Sequence, residues 1–153
     1  MPTFFDDLYD RFLELHTDIA KAVEDLPAEA LDWVPGPEMS TICMLVVHLI
    51  GAESYWIGAV ALGEPTDRVR EEEFGVHGLS ADELQKRLSA VDDYTRNALK
   101  RFSQPDLESV RKSHRNEKTF SVGWCLVHAL EHTSLHLGHI QLTRQLWEQK
   151  NKT

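Results

Sequence analysis

Four histidines fall within residues 128–139, HALEHTSLHLGH, and their spacing sorts the chemistry they can do. His132 and His136 stand at i and i+4. On a helix their rings would stack one turn apart and offer two nitrogens at a fixed bite. A third imidazole from a facing helix would close a third side of a divalent metal site. The fourth position would stay open for water or substrate, as in catalytic zinc centres. His48, in the apolar stretch TICMLVVHLIGA, is the candidate for that third side. Imidazole suits zinc, nickel, copper and iron(II). The expected cofactor is therefore a divalent ion, zinc or nickel ahead of iron or manganese. The plain alternative for each histidine is a hydrogen-bonded core imidazole.

A turn of about 100° per residue puts His132 and His136 on or beside the apolar face Val122, Cys125, Leu126, Ala129, Thr133, Ile140 and Trp147. His128 and His139 lie on a flank with Trp124, Leu135, Leu142 and Leu146, where they would support the ligands or line an interface. His16, His77 and His114 are expected at solvated surface. Tyr55 lies seven residues after His48, about 20° round the helix, and is the candidate catalytic hydrogen-bond donor near the open position. Glu53 and Glu131 are candidate carboxylates for orienting a histidine, with Glu131 pointing away from the pair. Arg144 could hold an anionic substrate or pair with an acid of the first helix. There is no HExxH motif, and no Glu-x-x-His pattern of a di-iron bundle. Ligand histidines must be neutral to bind a metal, so affinity is expected to fall as pH drops through about 6.5.

Four helical patterns position these residues. In the first, Leu8, Phe12, Leu15, Ile19, Val23 and Leu26 recur at three and four, with Pro27 beyond. A connector, LPAEALDWVPGPEM, leads to a second helix capped by Ser40 and running to about Leu62, before Gly63 and Pro65. It is apolar almost all round. EPTDRVREEEFGVHG reads as a polar loop. SADE then opens a third helix as a capping box of Ser80 and Glu83, with a seam of Leu84, Leu88, Val91, Thr95, Ala98 and Phe102. After SQPDLESVRKSHRNEKT, Ser121 caps a fourth helix reaching about Gln149, roughly 42 Å long at 1.5 Å per residue. No strand alternation with hairpin turns is seen. The expected fold is all-α, a four-helix bundle with long connectors, forming one domain over residues 1–153.

Composition narrows the partners. The net charge of −9 and the absence of a Lys/Arg stripe exclude nucleic acid and anionic membrane as natural partners. TICMLVVHLIGA is short for a bilayer and interrupted by His48. The acidic start MPTFFDDLYDRF carries no apolar signal core. Cys43 and Cys125 imply no disulfide framework, which fits a cytoplasmic protein. The apolar flank of the fourth helix predicts a homodimer.

Two segments, LDWVPGPEMSTICMLVVHLIGAESYW and LVHALEHTSLHLGHIQLTRQLW, resemble the DinB/YfiT-like superfamily of metal-dependent enzymes. The first is similar to that family's Trp-Pro connector, capped second helix and first histidine. The second is similar to its final helix, whose usual form is His-x-x-x-His-x-Gly-Gln. His139 stands where the family often has glutamine. The resemblance implies a bundle of family-specific topology and metal ligands at His48, His132 and His136. It also implies a small-molecule substrate and, in some relatives, a low-molecular-weight thiol such as mycothiol, bacillithiol or glutathione. The expectation is an enzyme that activates water or such a thiol, a hydrolase or a thiol-dependent transferase or isomerase. The alternative is a non-catalytic dimeric binding or stress-response module with a structural metal or none.

Overall fold

The computed structural model describes residues 3–152, and four long helices make up its bundle. Helix α1, Phe4–Val23, starts at Thr3 with a reciprocal cap: the Asp6 N–H donates to the Thr3 hydroxyl and the Thr3 N–H to the Asp6 carboxylate. A short helix α2, Ala28–Leu31, follows. Helix α3, Ile42–Ser54, continues without a break into a π-helical segment, Tyr55–Leu62. Its cap is Thr41, which accepts from the Met44 N–H at 3.1 Å, so the helix starts one residue later than Ser40 would have it. Gly63 closes the segment at φ 73°, a left-handed conformation that glycine adopts without a Cβ penalty. Helix α4 is Arg70–Glu73 and α5 is Ala81–Leu99, the latter opened by the expected Ser80–Glu83 box. A 3-10 turn, Gln104–Glu108, precedes strands β1, Val110–Lys112, and β2, Thr119–Ser121. Helix α6, Val122–Lys150, ends the fold and is capped by Ser121, as expected.

All three connectors therefore carry structure, and α2 lies inside LPAEALDWVPGPEM. Helix α4 lies inside EPTDRVREEEFGVHG. SQPDLESVRKSHRNEKT supplies the first strand and the turn of an antiparallel hairpin that ends at Ser121 and in which Arg111 faces Phe120. Each strand has only three residues, too few for alternation to register as a period.

Around the bundle α3 packs on α6, α6 on α1, α1 on α5 and α5 on α3. Helices α1 and α3 thus face each other across a diagonal, as do α5 and α6. The core divides into two apolar clusters along the bundle axis. One gathers Leu15, Ile19, Leu49, Leu88, Leu137 and Ile140, the other Phe12, Ile57, Ala98, Leu126 and Ala129. Between them lies a polar layer to which all four helices contribute.

His16 is the centre of that layer and is buried, contrary to the expectation of a solvated surface residue. Its Nδ1 meets Asp92 and its Nε2 meets Glu53, both at 3.0 Å. Glu53 also accepts from Thr95 at 2.6 Å and Thr133 at 3.1 Å. Asp92 accepts from Tyr9 at 2.9 Å and Arg96 at 3.2 Å. Every other hydrogen bond to the two carboxyl groups is donated to them, an arrangement that suits a His16 ring donating from both nitrogens. Burial alone would depress the His16 pKa, but the two carboxylates outweigh it and raise it. A protonated His16 and the Arg96 guanidinium would together match the charge of two ionised carboxylates.

The continuous helical stretch Ile42–Leu62 has 21 residues and a mean hydropathy of 1.5, long and apolar enough by composition to cross a bilayer. Two thirds of it is buried inside the bundle, as befits a core helix. Cys43 and Cys125 are both buried and free.

Candidate metal centre

Helix α3 brings His48 to α6, the neighbour it packs against most closely, at the level of His132 and His136. The Nε2 of His48 lies 3.1 Å from the Nε2 of His132, and that of His136 lies 3.2 Å from it. One ligand atom from each ring falls within 4.8 Å of the other two. The three residues named from spacing are thus brought together, although His48 and His132 are 84 positions apart.

The reverse sides of the rings decide what the converging nitrogens are. His48 Nδ1 is 2.7 Å from Glu73 Oε2 and donates to it. That fixes the tautomer and turns the Nε2 lone pair inward, the usual arrangement of a carboxylate behind a ligand histidine. Glu73 is held in turn by Arg68, Nε to Oε1 at 2.6 Å and Nη2 to Oε2 at 3.0 Å. Burial by itself would raise the Glu73 carboxyl, but His48 and Arg68 hold it below the usual range. Gly51, nearly one turn after His48, makes this approach possible: a Cβ there would run into the Glu73 carboxylate. Phe74 packs on the His48 ring at 4.8 Å.

His136 Nδ1 lies 3.3 Å from His139 Nδ1. His132 Nδ1 is buried and has no partner among the described residues. Burial first, and neighbouring positive charge second, push His132 down to about 3 and His136 to about 4. Both rings are therefore neutral at ordinary pH, with lone pairs to offer. Nitrogens ligating a tetrahedral ion at about 2.0–2.1 Å stand roughly 3.4 Å apart. The two spacings of 3.1 and 3.2 Å are close to that value, and a cation among the three nitrogens would take up their lone pairs.

Of the other residues singled out in the sequence, Glu53 orients His16 and not a histidine of the triad. Glu131 is exposed, 3.8 Å from His128. His128 is half-buried and stacked on Trp124 at 4.6 Å. His77 and His114 are exposed, as expected. Arg144 caps the end of α1, donating to the carbonyls of Lys21, Ala22 and Glu24, and pairs with Glu148 of its own helix instead of an acid of α1. The buried Tyr55 shares a hydrogen bond of 2.8 Å with Ser113, and the Arg68 guanidinium lies over its ring at 5.5 Å. Tyr55 is linked to His48 through Arg68 and Glu73. Glu73 was the residue the sequence reading missed. The demand of a ligand histidine for an acceptor on its second nitrogen points to an acid, and Glu71, Glu72 and Glu73 are candidates, but the run does not say which one turns inward.

A groove of about 330 Å³ opens beside the centre, lined by Met39, Ser40, Leu45, His136, His139 and Leu142 among others. Its walls are largely apolar.

The sequence profile of the DinB superfamily matches residues 11–140. No curated protein matches the sequence. Solved structures share the fold at low identity. A conserved protein from Enterococcus faecalis has a TM-score of 0.78 at 16% identity, over 95% of this chain and 98% of its own. A DinB-like protein from Bacillus cereus gives 0.69 at 16%, over 88% and 89%. YfiT from Bacillus subtilis, described as a probable metal-dependent hydrolase with an unusual four-helix bundle topology, gives 0.71 at 14%, over 95% and 91%.

Proposed function

We propose that this chain, which belongs to the DinB superfamily, is a metal-dependent enzyme acting on a small molecule, with a divalent ion held by the Nε2 atoms of His48, His132 and His136. The observation that carries the reading is the convergence of three Nε2 atoms with Glu73 fixed behind His48. The description of YfiT as a probable metal-dependent hydrolase points the same way. A bound divalent ion would supply Lewis acidity, lowering the pKa of a water or low-molecular-weight thiol and polarising an electrophile. The protein's own part is positional. Glu73 keeps the His48 tautomer, Gly51 leaves room for it, and Arg68 keeps Glu73 ionised. Burial keeps His132 and His136 neutral. The apolar groove beside His136 and His139 accepts the substrate body and excludes water from part of it. Tyr55 is a positioning residue in this scheme, holding Arg68 from below. Hydrolysis needs only water; thiol transfer needs a thiol from outside, because Cys43 and Cys125 are buried. The free thiols fit a reducing cytoplasm.

Elemental analysis of the purified protein tests the metal, with about one equivalent per chain expected. A screen of small esters, amides and thiol-transfer pairs, with and without chelator, tests the chemistry. Chelator-sensitive turnover supports an enzyme. A metal retained without any turnover supports the binding-module alternative, and a protein that binds no divalent ion overturns the proposal.

A further inference from the structure

A second recess, of about 310 Å³, lies on the other side of the Arg68–Glu73 pair from the centre. Its lining includes Tyr55, Arg68, Arg70, Glu71, His114 and Arg115. Three arginines in one small recess stand out in a chain whose net charge is −9. Their partners differ. Arg68 is committed to Glu73. Among the described residues Arg115 pairs with Glu71, at 4.0 Å, with both side chains more than half exposed, a contact of little energetic weight. Arg70 has no carboxylate partner among the described residues. Its guanidinium rests on the Phe74 ring at 4.9 Å, and that ring packs on His48 at 4.8 Å. One aromatic ring thus separates an uncompensated guanidinium from a candidate ligand. Arg70 is also among the charges that hold His136 neutral.

We propose that this recess is a subsite for an anionic group of the substrate, a carboxylate or a phosphate, gripped by Arg70 and Arg115. The proposal rests on the metal-centre reading for the word substrate, and on the recess alone for the anion. Guanidinium matches both oxyanions through paired N–H donors, and such charge-assisted bonds are the strong ones. A flat cation laid on an aromatic face is held in place before ligand arrives. The Tyr55–Ser113 hydrogen bond ties the hairpin turn that carries Arg115 to the π-helical segment, so the base of the second arm is anchored. The substrate class that follows is a small electrophile bearing an anionic end.

The test titrates the metal-free full chain with inorganic phosphate in one arm and with succinate in the other. Chemical shifts of the arginine side-chain N–H groups are the readout. Saturable shifts at Arg70 and Arg115 are expected in at least one arm. Arg70→Gln and Arg115→Gln should each weaken that binding by about tenfold or more, while Lys112→Gln, on the nearby strand, should leave it unchanged. The arm that binds more tightly identifies the oxyanion. Zinc titration of Arg70→Gln should still reach about one equivalent per chain, which shows that the variant folds and keeps its histidines in place. Binding that is equal in wild type, Arg70→Gln and Arg115→Gln, or no saturable shift in either arm, overturns the subsite. Neither result bears on the tri-histidine centre, whose test is metal content.

Discussion

Alanine at His48, His132 or His136 removes one of only three nitrogen donors, so each change should abolish tight metal binding. Metal at a thousand times its dissociation constant stabilises a fold by about 4 kcal/mol. The three variants should lose that rise in melting temperature, while His128→Ala, whose ring stacks on Trp124, keeps it. If His128→Ala strips the metal and His132→Ala does not, the assignment of ligands is wrong. Glu73→Gln should keep the metal but weaken it by about 10–100-fold, measured by competition with a chromogenic chelator. Gly51→Ala should do the same by displacing the Glu73 carboxylate. The pH dependence differs from that of ordinary histidines. His132 and His136 are held at about 3 and about 4 in the fold and return to about 6.5 on unfolding. Between those values the unfolded chain binds protons that the folded chain refuses. Their contribution to stability is therefore complete above about 6.5 and is lost as pH falls towards 4. Proton competition at these two rings should set in near pH 4, well below the value expected from the sequence. The melting temperature of the metal-free protein should drop between pH 7 and pH 4.5, and less steeply in His132→Ala. An equal slope in both proteins would contradict the shift. The ligands were legible in the sequence because i and i+4 spacing is local. Glu73 was not, because the turn of chain that aims it is fixed by Arg68 and Gly51, which carry no periodic signal.

The helices were legible for a similar reason: seams at three and four, with Ser80 and Ser121 as caps, are written within single segments. What joins the helices is not. The polar layer unites His16 of α1, Glu53 of α3, Asp92 of α5 and Thr133 of α6, partners 37 to 80 positions apart. It places Thr133, the neighbour of His132, against α3 and so helps to set the register of the ligand helix. Removing its one imidazolium leaves Glu53 as a buried charge with only hydroxyl donors. His16→Leu should therefore destabilise the fold by about 3–5 kcal/mol, as for other buried pairs broken on one side, read by urea unfolding. A change below 1 kcal/mol, a threshold near the worth of an ordinary exposed pair, would show that the layer is not ionised as drawn. His16 has the opposite pH signature to the ligands. Its pKa is raised, so its contribution is complete below about 6.5 and is lost as pH rises through the folded value. The hairpin strands, α2 and α4 are not legible in the sequence because they are only three or four residues long. The diagonal placement of α1 and α3 is set by contacts between faces, and no single segment states it.

At the scale of the whole molecule, the outer face of α6 leaves Trp124, Val127, Leu135, Leu142 and Leu146 between 36% and 56% exposed. Apolar area of this kind on one helix commonly marks an interface, and we predict a homodimer through it. Light scattering at tens of micromolar should give twice the chain mass, and Leu135→Glu with Leu142→Glu should give the monomer. A wild-type monomer at that concentration would refute the interface. Leu142 also lines the groove beside His136, so a partner seated on this face would help to wall the site. The two sides of the metal centre come from distant parts of the chain: His48 and Glu73 precede α5, and His132 and His136 follow it. An ion shared between them would act as a reversible staple, closing a loop of 84 positions. By the chain-entropy argument for cross-links, a closure of that length withholds roughly 4–5 kcal/mol of freedom from the unfolded chain, provided the ion stays attached. A backbone cut between α4 and α5, at residues 75–79, would then yield two pieces whose association, set by the shared core, tightens when zinc is present and weakens when it is chelated.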